Sequence, residues 1–115
     1  MTTTDLLEQK CTPQTQALSA AEVNQQIAAL DGWTVENGKI VREFKFGDYY
    51  ETLAFINAIA YVIHAEDHHP ELVVTYNRCV VRFDTHSVNN GKGGLSINDF
   101  ICAAKVNSIF QQSFS

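Results

Sequence analysis

The stretch Trp33-Thr34-Val35-Glu36-Asn37-Gly38-Lys39-Ile40-Val41-Arg42-Glu43-Phe44-Lys45-Phe46 decides the fold. Apolar residues recur at Trp33, Val35, Ile40, Phe44 and Phe46, and Asn37-Gly38 between the two halves is the strongest short hairpin signal, because both positions of a type I′ turn require positive φ. This predicts two antiparallel strands. Upstream, Ser19-x-x-Glu22 has capping-box spacing, and Val23, Ile27, Ala28 and Leu30 follow at roughly helical intervals, predicting a short helix over about 20–30 closed by Asp31-Gly32.

Downstream, Gly47-Asp48 breaks the strand. Asp48 and Glu51 make a second capping box for a long helix from Asp48 to about His68, with a stripe of Leu53, Ile56, Ala60 and Ile63 widened by Phe55, Ile59 and Val62. On such a helix His64 and His68, at i and i+4, share one face. Pro70 disfavours the α region for His69, so the adjacent rings diverge. Leu72 to Tyr76 and Cys79 to Thr85 are β-rich around a tight Asn77-Arg78 turn and read as a second hairpin. The Gly- and Asn-rich stretch 87–94 reads as a flexible loop. Ser96-x-x-Asp99 then opens a last helix from Ile97 to about Phe110, with Phe100, Ala103, Ala104, Val106 and Phe110 apolar. The order helix, hairpin, helix, hairpin, helix predicts an α+β domain: a four-stranded, mainly antiparallel sheet with helices packed on one face.

The chain has 115 residues and is 45% hydrophobic, enough for one core that buries roughly 65% of the unfolded surface. Residues 1–18 are Thr- and Gln-rich and read as a flexible extension, leaving a single domain over 19–115. Eight basic against thirteen acidic residues give a net charge of −5 without a cationic cluster, which disfavours direct nucleic-acid binding. No run is long enough for a membrane span, and no secretory or transit pattern opens the chain, so a cytoplasmic location is expected. Cys11, Cys79 and Cys102, odd in number and without CxxC spacing, read as free thiols in a reducing compartment; Cys79 and Cys102 sit among apolar neighbours and read as inert.

Chemistry concentrates in His64-Ala65-Glu66-Asp67-His68-His69-Pro70, which holds three of the four histidines. The fourth, His86, ends the second hairpin and can return to the same corner. Imidazole, with an unperturbed pKa of about 6.5, can give or take a proton near neutral pH. Each residue also has an ordinary role to set beside the chemical one. His64 can be a helix-end cap complementing the dipole, Asp99 can simply complete a capping box, Tyr76 can be strand packing, and Glu66 with Asp67 can be a solvated helix end.

The pattern His64-x3-His68-His69-Pro70-x5-Tyr76-x9-His86-x12-Asp99-Phe100 resembles the signature of the pterin-4a-carbinolamine dehydratases, over about residues 20–110. Phe100 stands where a Trp is usual, Asn98 where some members carry a basic residue, and His64 where many have Glu. The resemblance implies dehydration of 4a-hydroxytetrahydrobiopterin to quinonoid dihydropterin, in tetrahydrobiopterin recycling, by histidine acid–base catalysis. It implies His68, His69 and His86 as catalytic residues, with His69 the acid at the C4a hydroxyl. His64, Asp67, Tyr76 and Asp99 are the expected substrate-binding residues. The scheme requires no metal, nucleotide or flavin. A homodimer or homotetramer and a functional link to an aromatic amino-acid hydroxylase are also expected. Two alternatives stand beside it: a divalent cation held by His64, His68 and His86 with a carboxylate, although HExxH order is absent; and an interaction module, since animal members of the resembled family act as dimerisation cofactors of a homeodomain transcription factor.

Overall fold

A computed structural model describes residues 1–114, so Ser115, the last residue of the expected domain, lies outside the described residues. The elements run α1 (Thr3–Glu8), α2 (Ala20–Ala28), β1 (Thr34–Glu36), β2 (Lys39–Lys45), α3 (Tyr49–Glu66), β3 (Glu71–Thr75), β4 (Arg78–Phe83) and α4 (Ile97–Ser113). The strands form one sheet in the order β1-β2-β4-β3, every neighbour antiparallel. This is the expected α+β architecture, with one helix more than expected.

The first hairpin turns at Asn37 (φ 51°) and Gly38 (φ 77°), both in the left-handed region that a type I′ turn demands. The second turns one residue earlier than expected. Thr75 pairs with Arg78, so Tyr76-Asn77 is the two-residue loop and Arg78 begins β4. Register explains the shift, because a one-residue slip would rotate Cys79, Val81 and Phe83, all fully buried, to the opposite face. Ile40 and Phe44 join them beneath the helices, while Glu43, Lys45, Arg78, Arg82 and Glu71 carry ion pairs on the other face.

The helix α4 lies at the centre. From Asn98 to Ala104 every residue is buried, so it is enclosed on all sides rather than resting one stripe on the sheet. The sheet lies against it through Phe44 on Phe110 and Arg42 on Asn107, α3 runs beside it, and α1 packs on it too. In α3 the buried positions are Thr52, Phe55, Ile59 and Glu66, whereas Leu53 and Ala60 of the expected stripe are exposed.

Three expectations are corrected. Residues 1–18 are not a loose extension: Thr2 and Asp5 form a capping box for α1, Leu6 is fully buried, and the Leu18 N–H donates to the Leu95 carbonyl at 2.8 Å. Burying one leucine side chain is worth about 1.5–3 kcal/mol, enough to offset the ordering of one or two residues. The 87–94 stretch is shaped rather than featureless. Thr85 and Gly94 exchange two backbone hydrogen bonds, Val88 is fully buried, and Asn89, Asn90 and Gly91 turn the chain with φ of 56°, 56° and 82°. Finally, α3 stops at Glu66 because Asp67 adopts the left-handed conformation (φ 50°, ψ 44°), leaving His68 off the helix and no longer on one face with His64.

Glu66 is not a solvated helix end either. Its buried carboxylate accepts from the Cys11 N–H at 2.8 Å and from Lys105 Nζ at 2.8 Å, so it ties the end of α3 to the N-terminal segment and to α4. Burial pushes its pKa up, but hydrogen bonds from Lys105 and Cys11 and the charges of Lys105 and Lys10 outweigh that and hold it below the ordinary value of 4.5. A lowered folded-state pKa means stability present above the ordinary value and lost as the pH falls through the folded one. Glu66→Gln should therefore melt below the wild type at pH 7, and the gap should close as the pH drops through the carboxylate range; a gap independent of pH in thermal melts would contradict the clamp.

Candidate active site

The left-handed turn at Asp67 and the restriction imposed by Pro70 send His68 and His69 in different directions. His68 turns inward: its ring lies parallel to Phe83 with centroids 5.7 Å apart, and Nε2 is 2.6 Å from Asp99 Oδ1. Its side chain is 11% exposed and that of Asp99 is 0%. His69 and His86 turn outward, largely exposed, with Nε2 at 3.4 Å from Asp67 Oδ1 and 3.7 Å from Asp84 Oδ1 respectively.

Asp99 owes its place to the start of α4. As the third residue of the helix it accepts the Ser96 N–H on Oδ2 at 2.9 Å, completing the capping box. The same oxygen accepts from Thr85 Oγ1 at 2.9 Å, and Thr85 Oγ1 is also 2.6 Å from Ser96 Oγ. Capping, the ordinary role open to Asp99 on the sequence, and histidine-holding are thus done by one side chain, one oxygen for each. The result is a buried carboxyl–imidazole pair whose ring cannot rotate without breaking the bond to Asp99.

These residues line an open cleft of about 490 Å³, built from residues 11–14, 66–69 and 84–87 with Asn98. It gathers His68, His69, His86 and Asp67, and Asp99 stands behind His68. Two expected site residues lie elsewhere. His64 is exposed on the last turn of α3 and does not line the cleft. Tyr76 sits in the β3–β4 turn, at the end of β3 away from Pro70, stacked on Tyr49 with centroids 6.1 Å apart. Among the described residues, no group of three or more His, Cys, Asp or Glu side chains is placed to hold a metal ion, so His64, His68 and His86 do not form the set considered for a cation.

One wall was not anticipated. Residues 11–14 cross the mouth of the cleft, held by Glu66 and by Asn98, whose Oδ1 accepts the Thr12 N–H at 3.2 Å and whose Nδ2 donates to the Thr12 carbonyl at 2.8 Å. Ser87 Oγ adds a bond to the Gln14 carbonyl at 2.7 Å. A Thr/Gln-rich segment has no periodicity to betray this; its only local signal is Pro13, which stiffens an otherwise polar run. Thr85 was missed for a similar reason, being indistinguishable in sequence from the other β-branched residues of the strand.

The family model of pterin 4 alpha carbinolamine dehydratase matches residues 16–109. Over 115 residues the chain is 53% identical to a Bdellovibrio bacteriovorus protein named "Putative pterin-4-alpha-carbinolamine dehydratase", covering 100% of this chain and 96% of the relative. A Nitrosospira multiformis protein of the same name is 47% identical over 110 residues, 93% of this chain and 94% of the relative. Among solved structures, a transcriptional coactivator/pterin dehydratase from Brucella melitensis superposes with a TM-score of 0.74 at 35% identity, covering 82% of this chain and 98% of that one. By sequence and by fold, the chain belongs to the pterin 4 alpha carbinolamine dehydratase family.

Proposed function

We propose that the chain dehydrates 4a-hydroxytetrahydrobiopterin to quinonoid dihydropterin, in the recycling of tetrahydrobiopterin. The observation that carries this reading is the Asp99-held His68 at the back of a cleft flanked by His69 and His86, in a chain of this family. Loss of the C4a hydroxyl needs a proton delivered to the leaving oxygen and another taken from N5. With Nε2–H of His68 donated to Asp99, Nδ1 is left with its lone pair, which suits it to be the base at N5. His69, exposed and free to re-equilibrate with water, is the acid at the C4a hydroxyl. His86 positions the ring from the facing wall, and Asp67 borders the same space. His64 and Tyr76 stand outside the cleft, so a part for either in substrate binding would need a larger assembly than one chain.

The reading extends to a cytoplasmic homodimer or homotetramer linked metabolically to an aromatic amino-acid hydroxylase. Among the described residues no helix is long and apolar enough to cross a membrane. Support for self-association comes from the outer edge of β3, which pairs with no strand among the described residues, and from the exposed Val73, Val74 and Leu53. A second reading, a protein-interaction module, draws on the coactivator half of the Brucella protein's name and on the exposed Tyr49, Tyr50, Tyr61 and Tyr76.

Three measurements test this. Replacing His69 and His86 together by Ala should cost about 10² to 10⁴ in turnover of chemically generated 4a-carbinolamine by stopped flow, with circular dichroism unchanged; equal turnover in wild type and double variant would sink the dehydratase reading and leave the interaction module. If a cation were bound by these imidazoles they could not also carry protons, so exhaustive EDTA dialysis should leave turnover and thermal midpoint unaltered; activity lost to EDTA and restored by zinc would overturn the proton-transfer roles. Light scattering at micromolar concentration should give a multiple of 12.8 kDa, and the monomer mass itself would count against self-association.

A further inference from the structure

The segment that walls the cleft brings together two thiols that the proposed chemistry does not use. Cys11 Sγ lies 3.5 Å from Cys102 Sγ, although the residues are 91 positions apart. Their surroundings differ. Cys102 is fully buried in α4, whereas Cys11 is half-buried on the cleft wall. The Cys11 backbone is clamped on one side by Glu66, and its neighbour Thr12 is clamped by both ends of the Asn98 amide. The sulfurs are therefore held in contact by fixed backbone. A disulfide needs about 2.05 Å between sulfurs, so about 1.5 Å of closure remains, which rotation about the two Cα–Cβ bonds can supply.

We propose that Cys11 and Cys102 form a reversible intramolecular disulfide, with a peroxide as oxidant, that staples the 11–14 wall of the cleft to α4. The third thiol, Cys79, is buried in the sheet and its pKa is pushed up to about 11 by that burial, so it takes no part. Cys11, the thiol that reaches the cleft, attacks one peroxide oxygen. An S–O bond forms, the O–O bond breaks, and the proton shed by Cys11 leaves with the second oxygen as water. The Cys102 sulfur then attacks the resulting sulfenic sulfur. An S–S bond forms, the S–O bond breaks, and the Cys102 proton departs with the hydroxyl as a second water. Two thiols lose two electrons and one peroxide gains them. The order of events follows from access: Cys11 reaches the cleft while Cys102 is fully buried, so peroxide meets Cys11 first and Cys102 resolves. A thiol pair of this kind in a reducing compartment is a transient, sensing pair rather than a permanent cross-link.

The proposal rests on the wall's geometry and stands whether or not the chain is a dehydratase. Its test treats the reduced, full-length chain with one equivalent of hydrogen peroxide. The intact mass should fall by about 2 Da, peptide mapping should recover a Cys11–Cys102 cross-link, and denatured alkylation should drop from three labels to one. Closing so long a loop should raise the thermal midpoint by about 5 °C or more, reversed by dithiothreitol. Cys11→Ser, at a half-buried position and expected to fold, should abolish the mass loss and the shift; Cys102→Ser should do the same if it folds. A gain of oxygen mass on Cys11 without a cross-link, a disulfide-linked dimer, or an unchanged midpoint in the cross-linked protein would overturn the proposal.

Discussion

Asp99 carries a carboxyl group with no solvent exposure, in the first turn of a helix whose N-terminal half is enclosed on every side. Such a group is tolerated only where its hydrogen-bonding capacity is met, since leaving it unmet costs several kcal/mol. It is met here by three segments far apart in sequence: the Ser96 N–H at the start of α4, the Thr85 hydroxyl after β4, and the His68 ring before β3. Each of these donors fixes one end of an element. The pose of the second hairpin relative to α4 and the orientation of the His68 imidazole are consequently settled at one point, and a shift in either element would leave the carboxyl group short of a partner.

What surrounds that point divides by range. The Asn37-Gly38 turn and the Ser19 and Ser96 boxes were legible because their chemistry is complete within four residues; so was the part of the His68–His69 divergence that Pro70 imposes, whereas the left-handed turn at Asp67 that completes it was not. Glu66 was misread because its partners, Cys11 and Lys105, lie 55 and 39 residues away, and an acidic pair at a helix end has no local mark that distinguishes burial from solvation. The buried side of α3 was ambiguous because apolar residues occupy most of its circumference, and only packing selects Phe55 and Ile59 over Leu53 and Ala60. Of the candidate site residues, Asp67, His68, His69 and His86 converge on the cleft, with Asp99 behind His68. His64 and Tyr76 were placed there by resemblance of spacing, which cannot report that Asp67 ends the helix early or that β3 carries Tyr76 to its far end.

Arg42 illustrates how the core absorbs polarity elsewhere. Its guanidinium lies over Phe44 and Phe110, at 4.5 and 5.2 Å from the ring centroids, and donates to Asn107 Oδ1, which also accepts from Trp33 Nε1. Burial lowers the pKa of this group, with Asp31 opposing the shift. The cluster fastens β2 to α4 at the end opposite Asp99, so the central helix is anchored by polar bonds near both ends and by apolar contact between them. Gly32 belongs to this arrangement. Its φ of +83° suits glycine, and a Cβ there would stand 2.6 Å from Arg42 Nε.

The family pattern begins at residue 16, but the cleft begins at Cys11. A boundary drawn where the pattern starts would cut through a wall of the site, strip Glu66 of the Cys11 N–H, and uncover the pocket that Leu6 fills. The histidines would survive such a cut while the enclosure around them did not. Two chains can therefore share every histidine of the pattern and still enclose spaces of different shape, because that shape is decided in part by a segment lying outside the pattern.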